Sequence, residues 1–180
     1  MPRWSVPAYL FLGKCSTRMI KQQFHLRDYD WVVTFYYSVS AQDFYRVMWH
    51  LHRIGCRGEA FRIAWNNVNK GCCNLGLTYS DYIGNQSVVV VGETSRFGQL
   101  MNSLSHEIHH LSVHIATAHG LDLAGEEVCY IHGEVTQRVF ELPISGTSYN
   151  ILSIACASFP WSEESYTDKS CRLVCSRTIL

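Results

Sequence analysis

This 180-residue sequence has no excess of either charge and no long hydrophobic run. Lys plus Arg and Asp plus Glu number 15 each, so the formal net charge is zero. A balanced chain gives no electrostatic reason to expect nucleic acid or an anionic membrane as a partner. The strongest apolar run, Val88 to Val91, is far shorter than the ~20 residues of a membrane-spanning helix. We therefore predict neither a nucleic-acid nor a membrane partner.

The sequence also lacks an obvious export signal and any Cys-x-x-Cys pair. Arg3 is followed by only a brief apolar patch without a small-residue cleavage site, so we expect no signal peptide and a cytoplasmic location. Of the eight cysteines, Cys72 and Cys73 are adjacent and Cys171 and Cys175 are four apart, which is a weak metal signal. In a reducing compartment cysteines are most often small buried hydrophobic residues, and we interpret these as structural thiols.

The pattern that carries chemistry is His106-Glu107-Ile108-His109-His110, which has the form H-E-x-x-H. In a helix, His106 and His110 lie one turn apart on the same face, close enough for both imidazoles to bind one Zn²⁺. Glu107 follows the first ligand directly, so its carboxylate can lie beside the metal without binding it. This arrangement predicts a zinc hydrolase in which Glu107 deprotonates a metal-bound water.

A catalytic zinc takes three protein ligands and a water, so a third ligand is needed. We predict Glu127, near the start of the next helix, because helical periodicity places it at the border of the apolar face. Its neighbour Glu126 is an alternative, and Asp122 in the preceding loop is another, although a turn or cap role suits Asp122 better. A three-histidine site of the form HExxHxxGxxH is excluded, because Val113 and Ala116 occupy the required positions.

Two residues on the helix of Glu127 are candidates for stabilising the oxyanion of the reaction. Tyr130 is three residues further on, and a phenol can donate a hydrogen bond to a developing alkoxide. His132 is the second candidate. His114 is paired with His110 at i+4 but lacks an intervening general base, and we interpret it as a surface residue or a support to the ligands.

Hydrophobic periodicity and turn residues divide the chain into elements. They predict a strand at 31–37, helices at about 41–54 and 59–68, a hairpin of strands at 74–80 and 86–92, and helices at about 96–119 and 125–141. We expect an α+β fold with a small, twisted, mostly antiparallel sheet against the HExxH helix. The prediction is a single domain over 1–180, with its core at about 31–142 and a tail at 143–180 that shows no clear periodicity.

A strand, an HExxH helix, a short loop and a helix opening with Glu together resemble the zincin superfamily of metallopeptidases. The downstream Glu makes the chain similar to the gluzincin branch. The segment 87–140, including Gly125-Glu126-Glu127-Val128-Cys129-Tyr130, is similar to small zinc peptidases of bacterial mobile elements and phages. The resemblance implies a zincin-like fold, zinc bound by His106 and His110, and Glu107 as the base.

From these patterns we predict zinc-dependent hydrolysis of a peptide or protein substrate. An edge strand above the cleft would receive an extended peptide by strand addition. The alternative is a catalytically inactive, metal-stabilised binding or phage-assembly protein that keeps the zinc. A domain without metal, in which the histidine cluster is accidental, is the third possibility.

Overall fold

A four-stranded mixed sheet lies between two pairs of helices. The computed structural model describes residues 19–69, 76–94 and 96–141, except the side chains of 67–69 and 141. The strands are β1 (Ile20–Leu26), β2 (Trp31–Val39), β3 (Leu77–Asp81) and β4 (Gln86–Gly92). The α-helices of these ranges are α1 (Phe44–Arg53), α2 (Gly58–Asn69), α3 (Phe97–Ala118) and α4 (Glu126–Glu141). The predicted α+β class is confirmed.

The strand order is β1-β2-β4-β3. β1 pairs with β2 and β3 pairs with β4 in antiparallel fashion, in agreement with the predicted hairpin. β2 and β4 are parallel neighbours, with Phe35 opposite Val89. The parallel pair and the whole of β1 were not predicted. In β1 the buried positions are Gln22, Phe24 and Leu26, and the polar residue among them obscures the alternation expected of a strand.

The valines of β4 are buried on both faces of the sheet. Val89 and Val91 belong to the core cluster formed with α3 and α4, whereas Val88 and Val90 belong to the cluster formed with α1 and α2. A strand covered on both faces is apolar throughout rather than alternating. Burial on both faces accounts for the apolar run Val88 to Val91 seen in the sequence.

Apolar side chains hold α3 and α4 together on one face of the sheet. Leu104, Ile108 and Leu111 of α3 pack in the same core cluster as Ile131 and Val135 of α4, all nearly inaccessible to solvent. Residues 119–125 join the two helices into a hairpin. The α3 helix ends at Ala118, close to the predicted end, and Gly120 follows with a positive φ.

β3 forms one edge of the sheet and alternates in character. Leu77 and Tyr79 pack towards α1 and α2, whereas Thr78 and Ser80 form hydrogen bonds to side chains of α3. Gly76, immediately before the strand, also faces α3. The face of β3 next to α3 is therefore polar, and Thr78 on that face contacts Glu107 of the HExxH motif.

The two ends of the chain lie outside the described residues. They include the predicted tail at 143–180 and the first 18 residues, so the single-domain prediction stays a prediction. Of the eight cysteines, the structure describes Cys56, which is buried, and Cys129, which is exposed, both as free thiols. Within the described ranges, no helix is both long enough and apolar enough to cross a bilayer.

Candidate metal centre

His106 and His110 meet on the flank of α3. Both rings are half-buried, and their Nε2 atoms are 3.0 Å apart. The ring planes are nearly perpendicular, with centroids 4.6 Å apart. Helical spacing alone brings the rings to the same side, and here the two Nε2 atoms lie within hydrogen-bonding distance of each other.

This spacing fits a shared zinc ion. Two imidazole nitrogens at about 2.0–2.1 Å from one tetrahedral Zn²⁺ lie about 3.3 Å from each other. The observed Nε2 separation of 3.0 Å is slightly shorter than that value. Burial and the neighbouring His106 and His109 lower the pKa of His110, which favours the neutral imidazole that a metal requires.

Glu107 lies beside this pair but points towards the edge of the sheet. It is only 2% exposed, and its carboxylate accepts a hydrogen bond from the Thr78 hydroxyl at 2.7 Å (Oγ1 to Oε2). The other carboxylate oxygen packs against Gly76, where an added Cβ would lie 2.2 Å from Oε1. Glu107 therefore occupies a slot between α3 and the start of β3.

The slot changes the acidity of Glu107. Burial raises the pKa of this carboxyl to about 7, against the smaller lowering effect of the Thr78 hydrogen bond. Burial disfavours the charged form because the protein interior solvates a carboxylate poorly. A carboxyl that exchanges a proton near neutral pH has the acidity expected of a general acid–base group.

The described residues do not bring a third ligand to the pair. Among them, no group of three or more His, Cys, Asp or Glu side chains is arranged to hold a metal ion. Glu127 is exposed, and its carboxylate folds back over Gly125, where an added Cβ would lie 2.5 Å from Oε2. Glu127 also helps to raise the pKa of Tyr29, so it lies on the side of the helical hairpin nearest to the β1–β2 turn.

The register of the hairpin explains this separation. The rings of His109 and His132 are 6.4 Å apart, which places these two residues at the same level. Glu127 precedes His132 by five positions, or about 7–8 Å along the helix axis, in the direction away from His106. Glu127 as third ligand stays a prediction that the geometry does not favour.

The two alternative ligands are not brought to the pair either. Glu126 is exposed at the first position of α4. Asp122 is also exposed, and its Oδ1 accepts a hydrogen bond from the Ala124 backbone N–H at 3.0 Å. This confirms the turn role that the sequence suggested for Asp122.

The two predicted oxyanion donors differ in their surroundings. Tyr130 is 69% exposed, and no hydrogen bond joins it to His106, His110 or Glu107 among the described contacts. His132 is half-buried against His109, and burial lowers its pKa. Neither residue lies in the slot that holds Glu107, so both assignments stay predictions.

His114 has a more defined place than the sequence suggested. It is 8% exposed rather than on the surface, and its Nδ1 is 2.9 Å from the Ser80 hydroxyl. The Ser80 hydroxyl is also hydrogen-bonded to the Ser87 hydroxyl, which accepts a hydrogen bond from the Trp31 indole N–H. Burial lowers the pKa of His114 to about 4. The polar residues Thr78 and Ser80, at alternate positions of β3, were a signal for this network. The sequence does not show which side chains that face of the strand contacts.

Comparison of the chain with family models, with curated proteins and with solved structures found no match. The case for a function therefore depends on the geometry of α3 and β3.

Proposed function

We propose that this protein is a zinc-dependent metallopeptidase in which His106 and His110 bind the metal and Glu107 is the general base. The observation that carries the proposal is the 3.0 Å separation of the two Nε2 atoms beside a buried carboxyl. The zincin-like fold suggested by the sequence resemblance is part of the same proposal. It is supported by an HExxH helix packed along the edge strand of a mixed sheet.

Each group in this proposal has a distinct chemical task. His106 and His110 would hold a Zn²⁺ ion, which would supply a water with a pKa lowered towards ~7 and a Lewis acid for the scissile carbonyl. Glu107, with a pKa of about 7, accepts a proton from the attacking water and passes it to the leaving amine. In the described structure its carboxylate accepts a hydrogen bond from Thr78 and packs against Gly76.

A peptide is the substrate class that the sheet favours. β3 is one of the two edge strands of the described sheet, and it lies against α3 at the level of Glu107. An extended peptide adds to such an edge through main-chain hydrogen bonds. A substrate bound there would run alongside the catalytic carboxyl.

Zinc binding is the first test. Untagged protein should contain about one equivalent of zinc by elemental analysis, and His106→Ala or His110→Ala should each remove it. His109→Ala is the matched control, because His109 is in the same motif but exposed, and its zinc content should equal that of the wild type. A wild-type protein with no zinc above background contradicts the proposal.

Loss of turnover with retained metal is the second test. Glu107→Gln should keep its zinc and lower the cleavage rate of labelled casein by about 10²–10⁴-fold, the usual contribution of a general base. If neither the wild type nor this variant cleaves peptides while both bind zinc, the chain is the metal-stabilised binding protein that the sequence left as the alternative.

The third ligand is tested by comparing three variants. Glu127→Ala should lower zinc affinity more than Glu126→Ala or Asp122→Ala, if Glu127 leaves Gly125 and joins the histidines when metal binds. Equal affinities for all three variants would show that none of these carboxylates is a ligand.

A further inference from the structure

The outer face of α1 carries large aromatic side chains. The buried face of this helix consists of Phe44, Val47, Met48 and Leu51. A surface helix is usually polar on its solvent side, but here that side includes Tyr45, which is 77% exposed, and Trp49, which is 61% exposed. One helical turn beyond Trp49, the Arg53 guanidinium lies over the indole, with Cζ 4.9 Å from the ring centroid.

This face is also positively charged. Arg46 and Arg53 are both exposed, and the segment 44–58 contains three arginines and neither Asp nor Glu. Stacking of Arg53 on Trp49 restrains both side chains, which lowers the entropic cost of ordering them in a complex. Trp, Tyr and Arg are the residue types that dominate the binding energy of protein interfaces. We call Tyr45, Arg46, Trp49 and Arg53 the cationic face.

A second surface lies where three connections of the fold meet. The ring centroids of Tyr29 and His119 are 5.5 Å apart, and those of Trp31 and His119 are 6.1 Å apart. Trp31 is also 6.4 Å from Tyr82. The β1–β2 turn, the β3–β4 turn and the α3–α4 loop are therefore at the same end of the sheet. We call residues 27–30, 82–85 and 119–127 the acidic end.

The acidic end has the charge opposite to that of the cationic face. Its one lysine or arginine is Arg27, whereas its exposed carboxylate residues are Asp28, Asp30, Asp122, Glu126 and Glu127. Asp30 is paired with His25 at 2.9 Å. Two aliphatic side chains are exposed among these charges, Ile83 by 98% and Leu123 by 53%. An apolar, negatively charged surface of this kind suits an apolar, positively charged one.

We propose that the cationic face of one copy of this chain docks on the acidic end of a second copy. The formal charge of the chain is zero, yet these two surfaces carry opposite charges, so each finds its complement on another copy. Tyr45 and Trp49 would supply the apolar contact to Ile83 and Leu123. Because two different surfaces meet, the interface is heterologous. The inference depends neither on a metal nor on peptidase activity.

Sedimentation velocity of the metal-free, full-length protein tests the association. The wild type should self-associate with increasing concentration. The dissociation constant should rise at least tenfold from about 50 mM to about 500 mM NaCl, because salt screens exposed charges. Trp49→Ala should weaken association by about 10- to 100-fold, as expected for a central aromatic residue of an interface. A wild type that remains monomeric at low salt overturns the proposal.

Charge reversal tests which surfaces meet. Arg46→Glu/Arg53→Glu and Asp28→Lys/Glu126→Lys should each be monomeric alone, because like charges would face each other in the contact. An equimolar mixture of the two variants should associate again, since each retains the surface that the other has lost. Failure of the mixture to associate overturns the pairing of the cationic face with the acidic end.

The matched control is Arg96→Glu/Arg138→Glu. It changes the net charge by the same amount as the variant of the cationic face, but both positions lie outside the two surfaces, at the start of α3 and in α4. It should associate as the wild type does. Equal loss of association in this control would show that net charge, rather than the cationic face, governs the result, and would overturn the proposal.

Other occupants of the cationic face give different outcomes. If Asp28→Lys/Glu126→Lys associates like the wild type while the variant of the cationic face does not, two cationic faces meet each other and the proposal is wrong. The wild type is also titrated with labelled oligo-dT and with phosphatidylserine vesicles. Binding to either one by a monomeric wild type, lost in Arg46→Glu/Arg53→Glu, would assign the face to nucleic acid or a membrane surface and likewise overturn the proposal.

Discussion

At the residue scale, the contact between Gly76 and Glu107 is the tightest constraint on the candidate site. Cγ and Cδ of Glu107 would lie 2.4 Å from a Cβ added at Gly76, and its Oε1 even closer. Because Glu107 is almost completely buried, its side chain has little room to move away. Only glycine at position 76 leaves space for the carboxyl at the edge of the sheet.

We therefore expect Gly76→Ala to destabilise the protein by about 1–3 kcal/mol, the usual cost of overfilling a packed site. The measurement is urea unfolding of metal-free protein. Gly133→Ala is the matched control, since it lies in α4 with open space where the Cβ would be added. It should stabilise the protein by about 1 kcal/mol through helix propensity. Equal stability of Gly76→Ala and the wild type would show that the slot is not closed.

At the element scale, the end of α3 depends on backbone geometry rather than on side-chain contacts. Gly120 has φ of +65°, and its N–H donates to Thr117 O while that of Leu121 donates to Ala116 O. These two bonds form a Schellman motif, which satisfies the last carbonyl groups of the helix. The motif also sets the direction of the chain into α4, and so the register that separates Glu127 from His106.

Gly120→Ala should cost about 1–2 kcal/mol, because a Cβ is unfavourable in the left-handed conformation. Gly98→Ala, in the exposed first turn of the same helix with open space around it, should change stability by less than about 0.5 kcal/mol. Thermal or urea unfolding of the two variants checks this. A Gly120→Ala variant as stable as Gly98→Ala would indicate that residue 120 does not need a positive φ.

At the scale of the whole molecule, two buried groups give opposite dependences of stability on pH. Glu107 has a pKa of about 7 in the folded state and 4.5 as its ordinary value. The folded state binds its proton more tightly, so its contribution is fully present below pH 4.5 and is lost as pH rises through 7. His114, lowered from 6.5 to about 4, contributes stability above pH 6.5 that is lost as pH falls.

Glu107→Gln should isolate the first effect in metal-free protein. Between pH 4.5 and 8 the wild type should lose stability relative to this variant by about 3 kcal/mol, which is the free energy corresponding to the raised pKa. Urea unfolding at several pH values measures the difference, and the His114 contribution cancels because both proteins carry it. A difference that does not change with pH would show that Glu107 titrates normally.

Much of the fold was predictable because local pattern and burial agree. The strand at 86–92 was predicted with its observed bounds. The HExxH helix was predicted to within a residue at each end and the next helix to within one, because each has a complete apolar stripe. β1 was not predicted, since Gln22 takes a buried position and its amide is satisfied by Tyr37 and Arg138, distant in sequence.

The sequence by itself determined that His106 and His110 share a helical face, because the spacing of four residues and the period of the helix suffice for that. The tertiary structure alone decided what surrounds them. It set Glu107 in a slot against Gly76 and Thr78 and placed Glu127 away from the pair. It also linked His114 to Trp31 through two serines. These contacts join residues far apart in the chain, and they depend on strand order and hairpin register, which no local pattern encodes.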